Sequence, residues 1–442
     1  MENLLSKIRD QNAKIGIIGQ GYVGLPLAVA FARKFTVYGF DVCSDTIESL
    51  KAGRSHIQDV TDEDLSHSIG KTYFPTSDPE DLQKSDFIII CVPTPLSEDK
   101  IPDMSYIKSA CTTIKAILHK GQFVVLESTT YPGTTEEVVI PILEEAGLKA
   151  GTDFGVAYSP ERVDPGNKQY PIAKVPTVVG GINPDCTEIV ATLYRSVVEK
   201  IVPVKDARTA ESVKMVENIF RNVNIALVNE LSLIFERMDV NTWEVIDAAA
   251  TKPYGFMPFY PGPGIGGHCI PLDPYYMSYR AKKFSFIPRF IETSGEINEF
   301  MKMHIVNLAE KGLKQVGKKI YGTKVAVMGL AYKKNINDSR ESPSIKIIEE
   351  FVNLGADIRV YDPLVPTIRT KAGEFVSVGR VEDALSGADC AVFLVDHDVF
   401  REITLGMLRE LMASPVVVDG KNLFASEEGI VYLGIGKGDF HF

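Results

Sequence analysis

The sequence predicts an α/β protein built from two doubly wound parallel-sheet domains joined by a mostly helical central domain. Three observations carry this. Short apolar runs alternate with helical stretches through the first part of the chain, the pattern of a parallel sheet covered on both faces. The opening order of strand, glycine turn and acid-ended strand, KIGIIGQGYVG then TVYGFD, returns late in the chain as KVAVMGLAYKKN then RVYDP. Between the two, the texture becomes long helical periodicity. A chain of 442 residues with 45% hydrophobic content exceeds one core. The expected division is 1–205, 206–315 and 316–442.

In order, KIGII reads as a strand, LPLAVAFARKF as a helix and TVYGFD as a second strand. FIIICVP (87–93), FVVLEST (123–129) and FGVAYSP (154–160) continue the alternation. A long helix is expected over 209–238, capped by Thr209 or Ser212. WEVIDAAAT continues in helical style, and a further helix is expected over about 289–315. ADIRVYDP (356–363), DCAVFLVD (389–396) and PVVVDGKN (415–422) read as strands of the second sheet.

Composition excludes several classes. A net charge of −11 with no basic block argues against a nucleic-acid partner. The six cysteines are scattered, without a C-x-x-C pair, so a reducing compartment is expected rather than a disulfide framework. The first residues, MENLLSKIRDQNAK, lack an apolar signal core, and the strongest apolar runs are strand-sized, so no membrane attachment is expected. Together these predict a cytoplasmic location.

Gly19, Gly21 and Gly24 form G-x-G-x-x-G between a strand and a helix, and Asp41 ends the next strand. In that context the motif is a Rossmann dinucleotide fingerprint. The glycines let backbone N–H groups approach a pyrophosphate at a helix N-terminus, and the acid accepts from ribose hydroxyls. A carboxylate there repels a 2′-phosphate, so NAD is expected over NADP. VPTP (92–95) ends a strand where this fold places its ligand crevice, or is an ordinary proline turn.

GPGIGGHCIPLDP (262–274) places Cys269 behind Gly266 and Gly267 on open, turn-rich backbone. Either the thiol is incidental to a tight turn, or the glycines clear a path to a nucleophilic sulfur. A thiol adds to an aldehyde, and the adduct can lose hydride to NAD. A helix starting here would lower the thiol pKa. His268 and Cys269 are adjacent and rarely could share a metal, so no metal is expected. Lys214 and Asn218 lie at i and i+4 of the long helix, either as an oxyanion-stabilising pair or as a solvated Lys beside a core stripe. Glu161, Thr129 and Thr130 stand at strand ends as crevice groups or as caps. Lys333 and Lys334 occupy the second-half glycine turn, as anion ligands or exposed charges.

The motifs GQGYVGLPLA, GFDV, VPTP, STTYPGTT, SPERVDPGN, KMVEN, GPGIGGHCIPLDP and GLAYKKNINDSRES occur in this order over nearly the whole chain. In this the sequence resembles the UDP-glucose/GDP-mannose dehydrogenase family. The resemblance implies oxidation of a nucleotide-sugar C6 alcohol to a carboxylate with two NAD, on a homodimer built around the helical segment. Cys269 would be the nucleophile, holding a thiohemiacetal and then a thioester. Lys214 and Asn218 would stabilise oxyanions, Asp273 and Thr130 would position water, and Glu161 would assist acid–base work. Cofactor contacts would come from Gly19, Gly21, Tyr22, Val23, Gly24, Asp41, Pro93, Thr94, Thr130 and Arg340. Substrate contacts would come from Glu161, Arg162, Val163, Lys214, Asn218, Tyr260, Gly266 and Lys333. SPERVDPGN is most similar to the branch acting on UDP-N-acetylhexosamines, with UDP-N-acetylglucosamine ahead of UDP-N-acetylmannosamine and then UDP-glucose. Pro253 and Tyr260 stand where UDP-glucose enzymes carry a substrate-contacting Arg and Lys.

Overall fold

A computed structural model describes residues 2–438 apart from 58, 98, 163–170, 268 and 426–428. The chain forms two compact units, Met1–Glu217 with Tyr275–Phe286, and Asn218–Pro274 with Ile287–Phe442.

Among the described residues the first unit carries an eight-stranded sheet. Its strands are β1 (Lys14–Ile18), β2 (Thr36–Phe40), β3 (Tyr73–Thr76), β4 (Phe87–Ile90), β5 (Phe123–Leu126), β6 (Gly155–Tyr158), β7 (Thr177–Gly181) and β8 (Ile201–Pro203). The order β3-β2-β1-β4-β5-β6 is the parallel doubly wound arrangement, with β7 antiparallel to β6 and β8 parallel to β7. The strands are apolar on both faces because both faces are covered. Phe87 and Ile89 enter one core with the helix Gly24–Ala32, whereas Ile88 and Ile90 enter the other with the helix Ser105–Ile117. β3 escapes a sequence reading because YFPT contains a proline, which is tolerated here at a sheet edge.

The second unit repeats the plan. β9 (Lys324–Met328), β10 (Asp357–Tyr361), a hairpin β11 (Thr367–Thr370) and β12 (Gly373–Val376), β13 (Cys390–Phe393), β14 (Val416–Asp419) and β15 (Val431–Gly434) follow in the chain. All but the hairpin form a parallel sheet in the order β10-β9-β13-β14-β15. The expected fold class is therefore the observed one.

The middle of the chain is helical, with Ala207–Arg237, Thr242–Ala250, Asp273–Lys283 and Arg289–Gln315. The long helix begins at Ala207, and its cap is Asp206 rather than Thr209 or Ser212. The Asp206 carboxylate accepts the Thr209 amide at 2.8 Å, a stronger first-turn acceptor than a hydroxyl beside the helix dipole. Ser212 instead donates back to the Arg208 carbonyl. No helix among the described residues is long and apolar enough to cross a membrane.

Candidate active site

The first element is the turn after β1. Gly19 has φ +93°, and a Cβ there would stand 2.4 Å from the Cys91 carbonyl oxygen. A Cβ at Gly24 would stand 1.8 Å from the Gly19 carbonyl oxygen, so the helix can start against the strand only without one. Gly21 differs: its missing Cβ faces open space with nothing within 4 Å. Two glycines thus serve packing and the middle one leaves room above the turn, which fits a pyrophosphate on the helix N-terminus. Tyr22 is 37% exposed, and Val23 is the residue preceding the helix. The half-buried Asp41 carboxylate accepts the amides of Gln20 at 2.8 Å and Cys43 at 2.9 Å, which fixes it at the rim of the turn. After β4, Pro93 is exposed, and the Thr94 carbonyl accepts from the Tyr276 hydroxyl.

The corresponding acid of the second half has another task. Asp362 follows β10, is fully buried, and accepts the amides of Leu330, Ala331, Leu364 and Val365 together with His397 Nε2–H. Burial opposes its ionisation, but these hydrogen bonds, His397 foremost, hold its pKa down to about 2. With its oxygens turned inward, this acid cannot reach a ribose. The dinucleotide features of the first half are not repeated in the second.

A second group lies at the carboxyl ends of β4, β5 and β6. Lys214 is buried, and its Nζ donates to the Glu161 carbonyl at 2.6 Å and stands 3.8 Å from Glu161 Oε2. Arg162 is committed elsewhere, paired with Glu217 at 2.6 Å and bonded to the Pro176 carbonyl. Val163 lies outside the described residues, as does His268. Thr130 is fully enclosed, its hydroxyl 2.6 Å from that of Thr134.

Sequence reasoning passed over Glu127, directly after β5. It is buried with Cys91 Sγ at 3.5 Å, and the enclosed Tyr194 hydroxyl lies nearby without a well-aligned hydrogen bond. Desolvation, then the neighbouring Glu161, push its pKa up to about 8 against the Cys91 and Tyr194 contacts and Lys214. The signal available was an acid closing the wholly apolar run FVVL. Because the folded pKa is raised, the favourable contribution is complete below the unfolded value of about 4.5 and is lost as pH rises through about 8. Glu127→Gln is neutral throughout, so it should escape this loss. We expect it to melt several degrees above the parent at pH 7.5, on a gain of up to about 4 kcal/mol, and level with it at pH 4. Equal differences at both pH values, by calorimetry, would refute a protonated Glu127.

The third element is the thiol segment. Cys269 is exposed and forms no disulfide. Its carbonyl accepts the amides of Leu272 at 3.2 Å and Asp273 at 2.9 Å, a turn that leads into the helix Asp273–Lys283. Three asparagines of the long helix fasten the segment. Asn218 donates to the buried Asp273 carboxylate, Asn222 Nδ2 donates to the Ile270 carbonyl at 3.1 Å, and Asn229 Oδ1 accepts the Gly262 amide at 2.9 Å. Arg221 donates to the Asn218 carbonyl oxygen, so both ends of that amide are oriented. Asn222 and Asn229 were not anticipated. Their signal was the continuation of the Lys214–Asn218 row, one turn on to Asn222 and two more to Asn229.

Gly266 and Gly267 are packed tightly. A Cβ on Gly266 would stand 2.7 Å from Tyr332 Cβ, and one on Gly267 2.9 Å from the Tyr332 ring. Lys333 is half-buried on the turn after β9, and the exposed Arg340 pairs with Asp338 at 2.6 Å. Tyr260 is 42% exposed, stacked on Trp243 with its hydroxyl 2.6 Å from Asp247. The arrangement supplies a dinucleotide turn, a buried Lys–Glu pair, and an exposed thiol on a segment held by amide side chains.

Three domain profiles of the UDP-glucose/GDP-mannose dehydrogenase family match in order: the NAD binding domain at 13–198, the central domain at 208–300 and the UDP binding domain at 326–426. Protein CapL of Staphylococcus aureus is 38% identical over 94% of this chain and 97% of its own length. A UDP-N-acetyl-D-glucosamine 6-dehydrogenase of Pseudomonas aeruginosa is 36% identical over 95% of this chain and 99% of its own. A solved UDP-D-ManNAc dehydrogenase of Pyrococcus horikoshii superposes with a TM-score of 0.90 at 35% identity, covering 96% of this chain and 100% of that one. With the glycine turn and its acid in the first match and the exposed thiol in the second, the chain belongs to the UDP-glucose/GDP-mannose dehydrogenase family of NAD-dependent oxidoreductases.

Proposed function

We propose that the protein oxidises the C6 alcohol of UDP-N-acetylglucosamine to the carboxylate in two two-electron steps, with Cys269 as covalent nucleophile. The observation that carries this reading is the exposed Cys269 on a turn whose following acid, Asp273, is held by Asn218. NAD, held at the turn of Gly19, Gly21 and Gly24 beside Asp41, would supply the hydride acceptor for each oxidation. Glu161, kept beside the Lys214 ammonium, takes the proton of the C6 hydroxyl through water. Cys269 sulfur adds to the aldehyde carbon, and loss of hydride turns the thiohemiacetal into a thioester. Lys214 and Asn218 stabilise the oxyanion. Water held by Asp273 and Thr130 adds to the thioester, expelling the thiolate and releasing the carboxylate. Lys333 and Tyr260 contact the nucleotide sugar, and Arg340 reaches the cofactor once it leaves Asp338.

The reading extends to organisation. The division at 205/206 and 315/316 separates cofactor, thiol and nucleotide-sugar functions. Phe220, Leu227 and Ile234 recur every seven residues on the long helix and are 46%, 50% and 44% exposed, the spacing of a seam that a second copy covers. A cytoplasmic location is supported by six cysteines without a disulfide.

UDP-N-acetylmannosamine is the second reading, because relatives of similar identity bear each substrate's name. The test is NADH formed per sugar consumed, with UDP-GlcNAc, UDP-ManNAc, UDP-GalNAc and UDP-Glc, on protein whose mass is measured by light scattering. Two NADH per UDP-GlcNAc on a particle of two or more chains is expected. Turnover confined to UDP-ManNAc would reassign the substrate, and a monomeric active species would remove the dimer.

A further inference from the structure

The strand-end acid of the second half does more than decline a ribose. Asp362 grips the start of the turn after β9 through the amides of Leu330 at 2.6 Å and Ala331 at 3.0 Å. The same oxygen is 3.1 Å from His397 Nε2, and His397 Nδ1 accepts the amide of Asn335 at 3.0 Å. An accepting Nδ1 and a donating Nε2 define one neutral tautomer. Acid and imidazole therefore hold both ends of the stretch 330–335. Their side chains are 0% and 1% exposed, and Phe400 packs edge-on against the imidazole at 5.3 Å. Asn335 has φ +60°, a conformation that needs outside support in a residue other than glycine.

The gripped turn is also the seat of the thiol segment. Tyr332, at its centre, is the side chain that Gly266 and Gly267 approach too closely to carry a Cβ. The Gly267 amide donates to the Arg340 carbonyl at 3.3 Å, and Cys269 follows two residues later. A series of contacts thus runs from Asp362 and His397 through Tyr332 to Gly266 and Gly267, two residues before the sulfur.

We propose that His397 is a positioning residue for the thiol: its bond to the Asn335 amide sets the turn 330–335, and that turn sets Gly266 and Gly267, two residues before Cys269. The functional importance of this rests on the reading of Cys269 as nucleophile. The mechanical part does not, and the test separates the two.

His397→Gln keeps a donor toward Asp362 but places no acceptor at Asn335, whereas His397→Asn keeps an acceptor near the Nδ1 position. Loss of one partly buried amide bond corresponds to roughly tenfold faster local exchange. Hydrogen exchange by mass spectrometry should therefore quicken by about that factor in 329–336 and in 262–272 for the Gln variant. The Asn variant should stay within about twofold of the parent, and its kcat should be rescued in parallel. Tyr332→Ala, a change at a half-buried side chain, tests the second joint alone and should quicken exchange in 262–272. Faster exchange confined to 329–336, or equal loss of protection in both His397 variants across the whole second sheet, would overturn the proposal. If exchange behaves as expected while Cys269→Ser still makes carboxylate, the clamp stands and the thiol reading fails.

Discussion

Cys269→Ser should reduce carboxylate formation by at least about a thousandfold while leaving NAD affinity unchanged. The argument is chemical before it is structural. A thiolate attacks a carbonyl carbon at neutral pH, and a serine hydroxyl without an adjacent base does not. Cys269 is exposed, and Gly267 and Gly266, where a Cβ would be driven into Tyr332, stand two and three residues before it. Its carbonyl already accepts the amides leading into the next helix, a geometry that does not depend on the side chain, so the serine variant should fold. The dinucleotide turn belongs to the other compact unit, which is why cofactor affinity is the matched control. NADH per sugar should fall from two to at most one, since only the alcohol-to-aldehyde step can proceed without sulfur. Carboxylate at the parent rate, by mass spectrometry of the product, would sink the covalent route.

How much of this was legible in the sequence depended on distance along the chain. The glycine turn and Asp41 form one local pattern, and β4 to β6 are unbroken apolar runs because both sheet faces are covered. β3 and the hairpin β11–β12 have no such run and were invisible. The motif around Glu127 was read for its threonines, while the acid derives its character from Cys91 and Glu161, each more than thirty residues away. Asp362 resembled Asp41 in its strand position, yet His397, thirty-five residues on, turns it into an internal anchor. Arg162 was expected to face substrate, but pairing with Glu217 is a long-range fact that no local pattern contains. Asn222 and Asn229 are neutral, so they stood out neither as charges nor as core. Their role emerges only when the segment 262–273 is laid along the helix.

Lys214→Met is expected to lower kcat by roughly two to three orders of magnitude, the loss seen when a preorganised oxyanion donor is removed. Methionine matches the length of the lysine stem, so packing around a residue only 4% exposed is largely kept and the charge is the variable. Two consequences separate this from a general loss of fold. The Glu161 carbonyl loses its 2.6 Å donor, and Glu161 Oε2 loses a cation at 3.8 Å while Glu127 remains close by. A carboxyl that loses its neighbouring cation ionises less readily, so Glu161 should stay protonated to higher pH in the variant. A base that is protonated at neutral pH is idle, and the residual kcat should therefore recover as pH rises, along a limb displaced upward from that of the parent. Parent-like kcat in Lys214→Met, or a residual rate whose pH profile does not move, would show that this lysine acts on structure alone.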